Sequence, residues 1–404
     1  MTTASLKTAV NVPVKSRDKY QLSATVGRVH KHLSGDNAKI SVDCRIQLSL
    51  VCEGLMRRFR IRCYDAMIEL GRKSIDDKII IRVLREMCTK ETHEGAESAI
   101  GTALTHYRNT TNATSRDRHI GSETLKKVSI SHSARLCVSP NLCKRLWLTD
   151  DRTMTVHASI AIAAYIEYII CLFLRSAPHA DRNVVRTSDL IAAISNEGLL
   201  RDFVLHHRIY FCGGGIAVLT AHGAILQSVT KHFISMKHAR RIISALLNQQ
   251  HGQPTYKIAS SAVYNLFAFV ETRVINILRD VLFLVERLGH STSINPLHIS
   301  HVAEVKGVIL REPLCPIAKD TSDRMVKAAG CKHNFESKNG ETQQSVVSTL
   351  IEAVCIDILD KTIAAMDYSS NTTITSKYIR EGAYACGYIL ASYLNPKKHA
   401  LTKL

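Results

Sequence analysis

The chain has 404 residues, 46% of them hydrophobic, and its 53 lysines and arginines outnumber its 35 aspartates and glutamates for a formal net charge of +18 at pH 7. That much apolar material excludes a disordered basic tail and suffices for two to four packed domains. The positive excess favours a polyanionic partner, nucleic acid ahead of an acidic membrane surface.

The opening stretch MTTASLKTAVNVPVKSRDKY has no apolar signal core. A short N-terminal arm over 1–18 of an intracellular or virion protein is the expectation. The twelve cysteines include no C-x-x-C pair, and Cys52, Cys63, Cys171 and Cys355 fall in apolar helical runs. There cysteine acts as a small hydrophobe, as suits a reducing compartment.

Within the first segment, SATVGRVHKHLSGDNAKIS from Ser23 reads as a short helix and a polar turn. A long helix follows, with Leu48, Val51, Leu55, Phe59 and Leu70 on its apolar stripe. GRKSIDDKIIIRVL, from Gly71, predicts a short extended stretch and another short helix, and REMCTKETHEGAESAIGTALTHYRN predicts one more. This first segment spans 19–110, with a polar linker over 111–130.

The second segment, 131–228, opens on SARLCVSPNLCKRLWL. Its long helix contains ASIAIAAYIEYIICLFL, apolar almost all round and interrupted only by Glu167. Seventeen residues with a central carboxylate, closed by Arg175 and Pro178, make a poor membrane span and a good buried core helix. DRNVVRTSDLIAAI and then NEGLLRDFVLHHRIYFCGGGIAVLTAHGAILQ complete the segment.

The third segment, 229–311, carries ARRIISALL, then ASSAVYNLF leading into a stripe of Val263, Leu266, Phe267, Val270, Val274, Ile277, Leu278, Val281, Leu282 and Val285, then GHSTSINPLHISHV. The fourth, 312–404, carries RMVKAAGCKHNF, then ETQQSVVSTLIEAV with Val346, Val347, Leu350, Ile351, Val354, Ile358, Leu359, Ile363 and Met366, then SSNTTITSKYIREGAYA.

Ile75, Val185, Ile294 and Ile374 mark the centres of four similar stretches, 110, 109 and 80 residues apart. That is an internal repeat of short helix, turn, long helix, turn, short helix. A helix of about 27 residues is about 40 Å long, and two short helices cannot cover it. Copies must therefore pair, with long helices crossing, so that four copies make two pairs. A stretch such as TTI or NVV can lie as a short strand beside the turn before the partner's long helix, and Ser, Thr or Asp just beyond it caps the next helix. Paired turns collect basic groups and helix N-termini at one edge, a setting suited to phosphate.

On these residues the chain resembles the core histones, and more narrowly the fused multi-histone proteins of large DNA viruses, over roughly 19–393. The extra helix of the first copy resembles that of histone two-B. The second copy is similar to histone two-A in SARLCVSPNLCKRLWL, TVHASIAIAAYIEYI and the glycine-containing stretch after its last short helix. ASSAVYNLF resembles histone three, and RMVKAAGCKHNF with ETQQSVVSTLIEAV resembles histone four. The resemblance implies an all-α protein of four tandem histone folds forming two intramolecular handshake pairs. It further implies a second copy of the chain as partner in an octamer-like core, wrapping of duplex DNA largely irrespective of sequence, and residence in a host nucleus, a viral factory or the virion. It implies no catalysis, cofactor, metal, small-molecule substrate or membrane. Gly213, Gly214 and Gly215 become part of a segment that docks on the three–four pair.

The pattern also departs from the family. The N-terminus and the REPLCPIAKDTSDR junction are short and mildly basic, unlike signalling tails, and the helix expected before the third copy is squeezed into SVTKHFISMK, which implies loosely held DNA ends. Glu167 and Glu197 persist from the acidic patch of histone two-A, but Arg175 and Gly198 stand where more acids are expected. The family's arginine-to-aspartate spacing across the second turn survives only as Arg182 and Asp189; Ile79, His298 and Tyr378 take the second position elsewhere.

Neutralising phosphate requires basic side chains at paired turns and first helices. The candidates are Arg28, Lys31, Lys39, Arg72 and Lys73; Arg145, Arg152, Arg182 and Arg186; Arg240, Arg241 and Lys257; and Lys327, Lys332 and His333. Thr292 and Thr372 join them as hydroxyl or N–H donors. The alternatives are a histone-fold scaffold of a transcription or remodelling complex that does not wrap DNA, and a basic helical protein that coats nucleic acid. His206, His207 and Cys212 lack zinc-finger spacing, the three glycines lack the strand and helix of a phosphate loop, and no nucleophile elbow occurs.

Overall fold

A computed structural model of the chain describes residues 22–35, 38–118, 129–147, 153–177, 184–212, 216–219, 225–229, 232–251, 256–288, 293–330, 334–335, 342–367 and 372–392. The arm over 1–18 lies outside them. The protein is mostly helical and forms two compact units, Met1–His207 and Arg208–Leu404.

The N-terminal unit begins with α1 (Ser23–Ser34), β1 (Lys39–Ile40), α2 (Val42–Glu69), β2 (Ser74–Ile75), α3 (Asp77–Met87) and α4 (Lys90–Arg118). It continues with α5 (Ile130–Ser133), α6 (Pro140–Trp147), β3 (Thr153–Met154), α7 (Val156–Ser176), β4 (Val184–Val185), α8 (Thr187–Asn196) and α9 (Gly198–His206). α4 runs past the boundary at 110 read from the sequence. Within that extension the Thr110 and Thr111 hydroxyls donate to the carbonyls of His106 and Tyr107, so these residues satisfy their side chains inside the helix.

Side-chain caps start the long helices: Ser41 Oγ accepts from the Cys44 N–H at 3.3 Å and Thr155 Oγ1 from the Ala158 N–H at 3.1 Å. α7 is long and apolar enough to cross a membrane, yet 67% of its apolar window is buried within the protein. Ile160, Ile166, Ile169, Ile170 and Phe173 are wholly buried, as are Leu48 and Val51 of α2. Phe59 links the two long helices: its ring stacks on Tyr165 at 5.4 Å and meets Trp147 edge-on at 5.9 Å.

The C-terminal unit begins with β5 (Ile209–Cys212), β6 (Ile216–Leu219), β7 (Ile225–Val229), α10 (Met236–His251), β8 (Lys257–Ile258), α11 (Ser260–Leu288), β9 (Ser293–Ile294) and α12 (Pro296–Val305). It ends with α13 (Lys319–Ala328), β10 (Asn334–Phe335), α14 (Gln343–Asp367), β11 (Thr373–Ile374), α15 (Ser376–Ala385) and β12 (Ile389–Ser392). Val263, Leu266, Phe267 and Val270 of α11 share one core with Val347, Leu350, Ile351 and Ile358 of α14. The stripes read from the sequence are the faces by which the two long helices bury each other.

Two further features depart from the sequence reading. The 209–229 stretch belongs to the C-terminal unit, where β5 pairs in parallel with β12 from Ile209↔Ile389 to Cys212↔Ser392. The four-stranded sheet that results, in the order β12-β5-β6-β7, was not expected of an all-α chain. Its strands are too short for alternation to stand out, and β5 and β12 meet only through tertiary folding. Gly213, Gly214 and Gly215 lie outside the described residues, but β5 ends directly before them, so the expectation that no strand precedes the glycines is corrected, while the next described element is the strand β6 and not a helix.

Candidate nucleic-acid interface

Each unit carries two short parallel strand pairs, and each pair joins the strand before a long helix to the strand before a third helix of the other copy. In the N-terminal unit Lys39↔Val184 and Ile40↔Val185 define one register, and Ser74↔Thr153 and Ile75↔Met154 the other. In the C-terminal unit the registers are Lys257↔Thr373 with Ile258↔Ile374, and Ser293↔Asn334 with Ile294↔Phe335. The inner residues Ile75, Val185, Ile294 and Ile374 are buried, which turns the outer residues to solvent.

The β1/β4 edge exposes Lys39 and Arg186. The Ser41 N–H donates to the Val185 carbonyl at 2.9 Å, drawing the start of α2 against the start of α8. At α8 the Arg186 N–H donates to Asp189 Oδ2 at 2.8 Å, so the carboxylate stabilises the helix N-terminus and leaves the Arg186 side chain outward. At the β2/β3 edge Arg72 and Lys73 are exposed beside Gly71, whose φ of +61° is the left-handed turn after α2. Thr153 Oγ1 donates to the Lys73 carbonyl at 3.4 Å, and Asp76 caps α3 by accepting from the Ile79 N–H at 2.9 Å. That capping carboxylate and Asp77 next to it match Asp189 and Asp43 at the β1/β4 edge, so each of these two edges sets two cations beside two carboxylates.

At the β8/β11 edge Lys257 and Thr372 are exposed, and the Lys257 N–H donates to the Thr372 carbonyl at 2.8 Å. The Tyr256 hydroxyl donates to Asp367 Oδ1 at 2.8 Å, tying this edge to the end of α14. At the β9/β10 edge Asn295 Oδ1 accepts from the Leu297 N–H at 2.7 Å and starts α12. The candidates Thr292, Lys332, His333, Arg152 and Arg182 lie outside the described residues.

The remaining candidates sit on first helices. Arg28 and Lys31 are exposed on α1, with the Arg28 guanidinium donating to Thr25 Oγ1 at 3.0 Å. Arg145 is exposed on α6, Arg241 on α10 and Lys327 on α13. Arg240 on α10 is exposed too, but its Nη2 donates to Ser260 Oγ at 2.6 Å and ties α10 to the first residue of α11. Among the described residues no ion pair involves Lys39, Arg72, Lys73, Arg145, Arg186, Arg241, Lys257 or Lys327. Arginines of α2 and α3 differ: Arg62, Arg82 and Arg85 are held by Asp65, Glu69, Glu86 and Glu97.

Glu167, read from the sequence as part of an acidic surface, is half-buried, and its Oε2 accepts from the Val138 N–H at 2.9 Å. Burial raises its pKa, partly offset by the main-chain N–H groups of Val138 and Cys137. Glu197 is exposed between α8 and α9. Sequence reasoning passed over three related acids. The twelfth residue of α2, α7 and α11 is a glutamate each time, Glu53, Glu167 and Glu271, and Glu352 is the tenth of α14. Glu271 and Glu352 are 0% and 4% exposed. That recurrence was available as a signal. No known protein family matches the chain, and no curated protein is similar to it in sequence.

Proposed function

We propose that the chain is a fused viral histone, four tandem histone folds over 19–110, 131–228, 229–311 and 312–404 that make two intramolecular handshake pairs. Two chains assemble an octamer-like core that wraps and compacts duplex DNA largely irrespective of sequence, in a host nucleus, a viral factory or the virion. The observation that carries this reading is the fourfold recurrence of one edge, a short parallel strand pair, with two helices beginning at three of these edges and α12 at the fourth. Cations are exposed at three of these edges, Lys39 with Arg186, Arg72 with Lys73, and Lys257. Helix N-termini and unpaired cations side by side hold phosphate without reading bases.

Two further features support it. Pairing of β5 with β12 is what a docking extension of the two-A-like copy calls for. Phe283, Leu297, Val305 and Ile309, 43%, 64%, 71% and 74% exposed, offer the C-terminal unit apolar surface for a second chain. The test is to incubate pure protein with relaxed circular duplex DNA and topoisomerase, then digest with nuclease. Wrapping yields constrained supercoils and regularly sized protected fragments. A smear indicates coating, neither effect indicates a scaffold, and either result overturns the reading.

A further inference from the structure

Two of the short first helices are held at both ends by charged side chains of the long helices, in the same arrangement in each unit. Before α13, the N–H groups of Leu314 and Cys315 donate to Glu352 Oε2 and Oε1 at 2.7 and 2.6 Å, and the Ile317 N–H donates to Ser348 Oγ at 3.0 Å. At the other end Arg279 Nη2 donates to the carbonyl of Ala328, the last residue of α13, at 3.3 Å. α6 repeats this: the Val138 N–H donates to Glu167 ahead of the helix, and Arg60 Nη1 donates to the carbonyl of Trp147, its last residue, at 3.4 Å.

In both cases the glutamate comes from the copy's own long helix, α7 or α14, and the arginine from the preceding copy's long helix, α2 or α11. The signs oppose the helix dipole at each end: anion before the N-terminus, cation at the C-terminus. These are costly groups to bury. Arg279 is 7% exposed, and burial lowers its guanidinium to about 10, with Asp280 acting the other way. Buried charge is weak evidence for added stability, whereas removing one partner of a buried charged hydrogen bond leaves the other unsatisfied, so these contacts are costly to lose.

We propose that Glu352 and Arg279 are positioning residues for the DNA contact of Lys327 on α13, and that Glu167 and Arg60 do the same for Arg145 on α6. The proposal rests on the DNA-binding reading. Because each arginine belongs to the neighbouring copy, the clamp also makes correct placement of α6 and α13 conditional on correct pairing of copies.

The test uses the full chain and linear duplex DNA, with Glu352→Gln and Arg279→Lys. Glu352→Gln makes the protein more positive, so electrostatics alone would tighten binding and leave the salt dependence intact. Loss of position predicts the reverse: Lys327 loses its protection from amine labelling on DNA, and the slope of log affinity on log salt falls by about 0.9 per bound chain, because each chain neutralises one phosphate fewer. Arg279→Lys, which keeps the charge and loses the fork, gives the same changes to a lesser degree. Without DNA, hydrogen exchange should quicken across 319–328 and stay unchanged in α14. If wild-type Lys327 is unprotected on DNA, the DNA-binding reading fails and takes this proposal with it. If it is protected, and the variants keep that protection, the slope and α13 exchange, the positioning role alone is overturned. Exchange quickening equally in α14 also overturns it, since it marks general loosening.

Discussion

Replacing Gly382 by alanine should destabilise the C-terminal unit although alanine is the better helix former. Gly382 lies in α15 where that helix crosses α14, and a Cβ there would stand 2.7 Å from the Ile358 carbonyl oxygen and 3.0 Å from the Thr362 nitrogen, besides meeting Thr362 Oγ1. Ordinary carbon-to-oxygen contacts lie at about 3.3 Å or more, so α15 would have to move out by about half an ångström or more. The obstacles are mostly backbone, and the Thr362 hydroxyl is already committed to Ile358 O at 2.7 Å and Tyr378 O at 3.3 Å. Overpacking of this kind costs about 1–3 kcal/mol, and backbone crowding puts the site at the upper end, against about 1 kcal/mol gained in helix propensity. A net loss of about 2 kcal/mol in a unit of this size corresponds to a fall in Tm of about 4–8 °C. Calorimetry of the full chain reads it, with the two units followed by hydrogen exchange so that the loss can be assigned to the C-terminal one. An unchanged or higher Tm would refute the close crossing of α14 and α15.

Gly101→Ala is the counterpart: the exposed Gly101 of α4 has nothing within 4 Å of its would-be Cβ, so about 1 kcal/mol of added stability is expected, read as a higher midpoint of denaturant unfolding. Neutralising Lys39 and Arg186 together by glutamine should reduce the salt slope of DNA binding by about 1.8 per bound chain, the value for two phosphates, and leave stability within about 0.5 kcal/mol of the parent. His207 gives a pH prediction. Burial, with the nearby charges of His206 and Arg58, lowers it from 6.5 to about 3, so the folded N-terminal unit keeps it neutral. The stability this contributes is fully present above pH 6.5 and lost as pH falls towards 3, about 2 kcal/mol being gone at pH 5. His207→Phe, which keeps the ring contact with Phe203 at 4.6 Å, should flatten that pH dependence; an unaltered profile between pH 7 and 5 would show that another group titrates.

Much of the helical architecture was legible because burial imposes a 3.6-residue period: the stripes of α11 and α14 lie on the faces that pack together. The short paired strands beside the long helices were legible for a different reason. Ile75, Ile294 and Ile374 each stand alone among polar residues one position ahead of a helix N-cap, and Val185 does the same with Val184 beside it, a local signature of a short strand with one side buried. Which cations are free was not legible, since Arg72 and Arg82 look alike in a string of letters, yet one is unpaired at a turn and the other is held by Glu69 and Glu86. The main-chain partner of Glu167 was not legible for the same reason: it depends on which N–H groups arrive beside the carboxylate.

The chain by itself determined its charge, its fourfold period and the apolar faces, because composition and helical spacing are properties of consecutive residues. Only the tertiary structure decided that β5 joins β12, that Gly382 must lack a side chain, and that Arg279 ends a helix 49 residues further along the chain. Those outcomes depend on distances between residues remote in sequence, and a hydrogen bond or a close approach exists only once packing has fixed those distances to within a few tenths of an ångström.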